Sequence, residues 1–305
     1  MIECAIECEG LTKEFGPNRA VWDLHLRIPR GTVCGFLGRN GCGKTTTIKL
    51  LMGFLRPTRG TCKVLGHPSF DMPDPVRAKV GYLIEGHPLY RAWKVRQIEA
   101  FVRTFYPRWD EALFRDLLTR FEIDPATRVW NLSRGQRGMV ALGLVLASGP
   151  EVLVLDDPAL GLDAIARRTF LETVIKVIQK EGRTILFASH HLGDVERVAD
   201  RVVVMEKGVL RVDCPTEEFL QRVRRLEFEA EAAPAGIDSF PGLLDIDLRP
   251  GRVRLTIVNI DEERRARLRA VIPQGFEELP LNLEDAFIAY TGSRILRSRE
   301  SRKGN

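Results

Sequence analysis

Apolar positions along the chain fall into two kinds of pattern. Short, nearly unbroken runs at Leu24–Ile28, Val33–Leu37, Val80–Ile84, Val152–Leu155, Thr184–Ala188 and Val202–Met205 predict strands. Continuous Val, Ile and Leu suit strands covered on both faces, as in a parallel sheet. Between them, apolar residues recur every three or four positions, predicting helices over Lys44–Gly53, Ala164–Gln179 and Leu192–Ala199. From Pro88 to Gly149 the pattern is almost purely helical. The alternation predicts an α/β fold with a mostly parallel sheet and an inserted helical subdomain at about residues 88–149.

The character changes after Cys214–Pro215. PTEEFLQRVRRL reads as a helix and AEAAPAG as a linker or exposed turn. Strand-like runs follow at Leu243–Leu248 and Val253–Val258, then helices at Asp261–Ile272 and Leu283–Tyr290. The expected organisation is a first domain over residues 1–214 and a small C-terminal α+β domain over 215–305, ending in a basic tail. No internal repeat is visible.

Composition changes this picture little. The 305 residues suit two domains. A hydrophobic content of 44% with 29% charged residues excludes wholesale disorder. The longest apolar run, Met139–Ala147, falls far short of the roughly 20 residues that span a bilayer. The N-terminal decapeptide is acidic, and no secretory signal is expected. The net charge is +5, and Gly292–Asn305 alone carries five basic residues against Glu300. The body is therefore near neutral, and nucleic acid is not expected as a partner. The tail reads as a solvated end or as a segment drawn to an anionic membrane surface. Six cysteines without a CxxC pair point to reduced thiols in the cytosol.

The chemistry starts where Val33–Leu37 runs into Gly38-Arg39-Asn40-Gly41-Cys42-Gly43-Lys44-Thr45-Thr46, which satisfies G-x-x-x-x-G-K-[ST] after a strand and before a helix. Glycines let successive N–H groups turn toward phosphate oxygens, and the helix opening at Lys44 adds its positive end. Lys44 is placed for the β and γ phosphates, and the Thr45 hydroxyl for Mg²⁺. A second apolar strand ends in Asp156-Asp157. Asp156 is placed to hold Mg²⁺ through water, and Asp157 to orient or deprotonate an attacking water.

With these come Leu132-Ser133-Arg134-Gly135-Gln136 ahead of the carboxylates, Leu160-Gly161-Leu162-Asp163 behind them, and Ser189-His190 at the end of a later strand. The ordered set over residues 1–214 resembles the nucleotide-binding subunit of ABC transporters, a P-loop NTPase fold. The resemblance implies that Ser133, Gly135 and Gln136 belong to a signature that closes on ATP held by an opposite subunit. It implies that Gly161–Asp163 couples the two sites, that His190 contacts the γ-phosphate, and that Phe15 stacks under the adenine ring. His191 is the non-matching neighbour. Ligands are then ATP and Mg²⁺.

Three positions depart from the family pattern. Arg134 replaces a glycine in the signature. Glu85, in Gly81-Tyr82-Leu83-Ile84-Glu85, replaces the glutamine that faces Mg²⁺ or water, as in many ABC-2-type ATPases. Asp157 replaces the catalytic glutamate with a side chain one methylene shorter, so that hydrolysis is either slow or bridged by a second water. Leu283-Glu284-Asp285-Ala286-Phe287 resembles the ending of ABC-2-type exporter ATPases.

The resemblance implies an ATP-binding and ATP-hydrolysing subunit that powers an ABC-2-type membrane exporter by ATP-driven dimer closure. Its partners would be integral-membrane permease chains and either a second copy or a paralogous ATPase, and it would sit on the cytoplasmic face of the cell membrane. The permease surface is expected around Glu85–Trp93, with Tyr90 and Trp93 as apolar anchors. A nucleotide-gated regulator with little turnover and a soluble ABC protein acting on ribosomes or DNA are the alternatives.

Overall fold

Five of the six apolar runs become strands of a six-stranded sheet, while Leu24–Ile28 lies in a strand of a separate antiparallel sheet. The structure, a computed structural model, describes residues 3–229, 233–272 and 275–292. The chain divides into two units, Met1–Asp213 and Cys214–Asn305.

In chain order the first seventeen elements are β1 (Cys4–Phe15), β2 (Asn18–Pro29), β3 (Val33–Gly38), α1 (Lys44–Leu51), β4 (Arg59–Val64), β5 (His67–Pro68), α2 (Asp74–Arg77), β6 (Val80–Leu83), α3 (Val95–Arg103), α4 (Glu111–Arg120), α5 (Arg134–Ala147), β7 (Val152–Asp156), α6 (Ala164–Glu181), β8 (Thr184–Ala188), α7 (Leu192–Val198), β9 (Arg201–Glu206) and β10 (Val209–Pro215). The six-stranded sheet has the order β10-β9-β3-β8-β7-β6, and β9, β3, β8, β7 and β6 pair in parallel. Every residue of β7 and β8 is buried, which is why these strands read as unbroken apolar runs. Parallel pairing brings the C-terminal ends of β3, β6, β7 and β8 out on one edge, where open α/β sheets bind ligands. In register, Leu83 faces Leu155, while Ala188 has Asp156 on one side and Phe36 on the other.

A second sheet, β2-β1-β4-β5, is antiparallel throughout. Ile6, Leu11, Leu24 and Ile28 from it are buried in one core with Phe36, Ile48 and Val154. Between β6 and β7 the described structure holds helices α3, α4 and α5 with a 3-10 turn at Val129–Asn131.

The second unit contains α8 (Thr216–Arg222), β11 (Val223–Glu229), β12 (Leu243–Arg249), β13 (Arg252–Val258), α9 (Glu262–Val271), β14 (Glu277–Pro280) and α10 (Leu283–Gly292). Its antiparallel sheet, β12-β13-β11-β14, packs Leu226, Phe228, Leu255 and Ile257 with Leu268 of α9. Asp261 Oδ1 caps α9 by accepting the Arg264 N–H at 2.8 Å. The helix expected over PTEEFLQRVRRL stops at Arg222, because Val223, Leu226 and Phe228 are wanted in the centre of this sheet. The expected linker 230–236 and the basic tail lie partly and almost wholly outside the described residues.

Candidate functional site

The phosphate loop is wound between β3 and α1 by steric necessity. Gly43 has φ +107°, and a Cβ there would lie 2.3 Å from the Ala20 carbonyl oxygen. A Cβ on Gly38 would lie 2.3 Å from Cys42 Sγ, whose buried side chain fills the space under the loop. Thr47 Oγ1 donates to Gly43 O at 3.0 Å and ties the first turn of α1 to the loop. Lys44 folds back, its Nζ donating to the Gly38 carbonyl and, at 3.4 Å, to that of Arg39.

The loop opens into a cleft of about 960 Å³ at the C-terminal edge of the six-stranded sheet. Asn40, Gly41, Gly43, Lys44, Thr45 and Thr46 line it from one side. Glu85, Asp156, Asp157 and His190 enter from the ends of β6, β7 and β8, and Phe15 from the end of β1. Gly38, Arg39 and Cys42 shape the loop without lining the cleft. Phe15 is half exposed, with Lys13 Nζ 5.1 Å from its ring centroid.

Asp156 is buried, and the Tyr82 hydroxyl donates to its Oδ2 at 3.4 Å. Burial raises the Asp156 carboxyl above the ordinary carboxylate range, and the Glu85 and Asp157 carboxylates raise it further, against the Tyr82 hydrogen bond and Lys44. Tyr82 is itself raised, by burial first and then by Asp156. Crowded carboxylates of this kind invite a cation. Among the described residues, no group of three His, Cys, Asp or Glu side chains is placed to hold a metal alone. Asp156 and Thr45 offer the hard oxygens that Mg²⁺ takes when a substrate's phosphates complete its shell, so the donor set fits.

Asp157 adopts φ +49°, a left-handed conformation that Asp tolerates better than most residues. Its N–H donates to Ala188 O at 2.8 Å, pinning the turn to the end of β8. Its Oδ2 pairs with His190 Nδ1, while Oδ1 is buried without a hydrogen-bond partner. His191 stacks beside His190 with ring centroids 4.1 Å apart, and burial followed by Arg167 holds it below its ordinary range.

Ser133, Gly135 and Gln136 lie elsewhere. They open α5 in a capping box, Ser133 Oγ accepting the Gln136 N–H and Gln136 Oε1 accepting the Ser133 N–H, both at 3.1 Å. None of the three lines the cleft. Arg134 is accommodated because its guanidinium lies over Gly161, where a Cβ would come within 2.1 Å of Cζ.

Asn18, Arg19 and Lys207 also line the cleft, and no motif marked them; Leu160, the first residue of the Leu160–Asp163 motif, lines it too. A second, apolar groove of about 380 Å³ is walled by Phe54, Ile84, Leu89, Val102, Tyr106 and Leu144 among others. Tyr90 and Trp93 stand apart from its walls. They stack at 5.1 Å on the surface, with Phe101 edge-on to Trp93 at 5.7 Å.

A sequence model of the ABC transporter family matches residues 21–160, which hold the phosphate loop and both carboxylates. The Nod factor export ATP-binding protein I of Rhizobium johnstonii is 32% identical over 307 aligned residues, covering 95% of this chain and 96% of that protein. This chain belongs to the ABC transporter family. It is an ATP-binding subunit of that family and an ATPase. The ABC transporter ATP-binding protein YtrB of Bacillus subtilis is 29% identical over 95% of this chain and 99% of its own length. Among solved structures, an ATP-binding subunit of an ABC transporter superposes with a TM-score of 0.65 at 25% identity, over 71% of this chain and 92% of that one. Among the described residues, no helix of this ABC subunit is long and apolar enough to cross a membrane.

Proposed function

We propose that this ABC subunit powers an ABC-2-type exporter from the cytoplasmic face of the membrane, and that two subunits close head to tail around ATP. The carrying observation is an incomplete site: the phosphate loop, Asp156, Asp157 and His190 share one cleft, while Ser133–Gln136 stands outside it. A helix N-terminus with a serine hydroxyl is suited to a γ-phosphate, and only a second subunit can bring it there. The relatives named for export support the transport direction.

In this reading Lys44 and the loop N–H groups stabilise the charge on the transferred phosphoryl group. Mg²⁺, held by Thr45 and Asp156 with Glu85 nearby, would add further charge stabilisation. Phe15 stacks on the adenine. Asp157 orients the attacking water and accepts its proton, and His190 positions Asp157. The apolar groove beside α3 and α5 receives a segment of the permease, with Tyr90 and Trp93 at its margin.

One observation favours slow turnover in the free subunit. Oδ1 of Asp157 is buried and Oδ2 already pairs with His190, so only part of the carboxylate faces the cleft. In this reading closure of the dimer loosens the Asp157–His190 pair and turns more of the carboxylate toward the attacking water. The test is to size the Asp157→Asn protein, and its mixtures with a paralogue, with and without ATP–Mg²⁺. Nucleotide-dependent association is expected. A protein that binds ATP and stays monomeric in every mixture overturns the head-to-tail reading.

A further inference from the structure

His87 is a buried polar side chain that no motif claims. It lies two residues after Glu85, with φ +50°, a conformation few non-glycine residues adopt. Its N–H donates to Ile84 O at 3.2 Å, closing a turn that sends the ring inward. There Nε2 lies 2.9 Å from the Pro158 carbonyl oxygen. A carbonyl only accepts, so Nε2 carries the proton. Pro158 directly follows Asp157.

The space for the ring comes from a third element. A Cβ on Gly138 of α5 would sit 3.1 Å from His87 Cε1 and 3.2 Å from Nδ1, closer than side chains normally pack. With a side chain at residue 138 the imidazole would have to give way by a few tenths of an ångström. One ring thus touches the loop that carries Glu85, the turn that carries Asp157, and the helix that Ser133–Gln136 opens. It also lines the apolar groove. A left-handed backbone held in place by a buried hydrogen bond is the kind of local strain that persists where geometry is in demand.

We propose that His87 is a positioning residue for ATP hydrolysis, its Nε2–H clamping the Pro158 carbonyl so that the Asp157 turn stays seated against α5. The proposal rests on the hydrolase reading of the cleft. Asp157 needs such a clamp more than a longer side chain does. It has one methylene fewer with which to correct its reach, and misplacement by about 1 Å costs on the order of 10²-fold in rate.

The experiment compares the full chain with His87→Leu, His87→Gln and Gly138→Ala. Glutamine places an amide N–H near the position of Nε2, whereas leucine fills the space without a donor. Gly138→Ala leaves the clamp residue intact and pushes on the ring from α5. Two quantities are read: kcat with the dissociation constant for ATP, and hydrogen exchange at the Leu160 and Leu162 amides. These amides donate to Asp157 O and Ala159 O within the clamped turn. His87→Leu should lose roughly 3- to 10-fold in kcat, the worth of one hydrogen bond. ATP affinity should stay within about twofold, and both amides should exchange faster. Gly138→Ala should move both readings the same way, and His87→Gln should recover most of the rate. Wild-type turnover and exchange in His87→Leu overturn the proposal. So does a His87→Gln protein as impaired as His87→Leu, which would assign the effect to packing. A wild-type chain that binds ATP and never hydrolyses it overturns the hydrolase reading instead, and the exchange data still decide whether the clamp exists.

Discussion

The polar cleft and the apolar groove draw on the same short segment after β6, and they are built in opposite ways. Glu85 faces the cleft, while Ile84, His87 and Leu89 face the groove. The cleft collects charge at the ends of parallel strands, where each residue is held by backbone geometry: Gly43 against Ala20, Asp157 against Ala188. The groove collects mostly apolar side chains from β6, from helices and from loops, and no single residue defines it. One region suits a ligand that brings its own charge and the other suits a partner that brings its own apolar surface. Substitutions should therefore separate them cleanly.

The largest effect belongs to the phosphate loop. Lys44→Ala removes the ammonium that folds over the loop, and its place is partly solvated, so the fold should survive. Turnover should fall at least about 100-fold, by analogy with loss of a single charge-stabilising group in other active sites. Circular dichroism with an ATPase assay checks both halves. Unchanged ATP affinity and unchanged rate would remove the loop from the site.

Asp157 comes next. Asp157→Asn should keep ATP binding and lose turnover by about 10²- to 10⁴-fold, since an amide accepts no proton. Asp157→Glu sharpens the comparison. The left-handed turn and the His190 contact fit the short side chain, so the longer one should crowd the site and lower kcat. A higher rate would mean that the site is built for glutamate and that Asp157 is a defect.

The groove should answer in a different assay. Leu89→Glu places a charge on its wall, and burying that charge against an apolar partner is unfavourable by several kcal/mol. Recruitment to membranes containing the permease should drop at least tenfold, while ATP affinity stays within about twofold. Loss of ATP binding in this variant would show that the two regions are not separable.

The same contrast explains what the sequence made legible. The phosphate loop and Asp156-Asp157 were readable because each is a local string with one purpose, set after an all-apolar strand. β1 was not, because bulges between Cys8 and Leu11 and around Lys13 break its alternation of buried and exposed positions. Nor was β11, where Arg224, Arg225 and Glu227 suit a helix as well as a strand. Pairing with β13 and β14, far along the chain, decides the matter. The groove was only half legible. Its neighbourhood followed from Glu85–Trp93, but its wall needs Phe54, Val102 and Leu144, which only tertiary structure brings together. Tyr82 and His87 carry no sequence signal beyond their types; the contacts that single them out, to Asp156 and to the Pro158 carbonyl, come only from the fold.

The smallest effect concerns the stability of the empty cleft. The Asp156 carboxyl is raised above its ordinary range by burial, then by Glu85 and Asp157. A raised acid binds its proton more tightly in the folded chain than in the unfolded one. Between the ordinary value and the raised one, stability therefore falls as pH rises, and above the raised value the full penalty is present. Asp156→Asn removes that penalty, so the nucleotide-free variant should melt higher than wild type at pH 7. Each kcal/mol relieved is worth about 2–4 °C for a domain of this size. The difference should shrink as pH falls through the raised value toward the ordinary carboxylate range, because wild-type Asp156 then becomes neutral too. ATP–Mg²⁺ should reverse the order, since binding stabilises the wild type by mass action and the variant has lost an oxygen charge that attracts the cation. A variant less stable than wild type without nucleotide at pH 7 would mean that the hydrogen bond from Tyr82 outweighs the crowding. The cleft would then be as settled when empty as the groove, and the contrast between them would rest on chemistry alone.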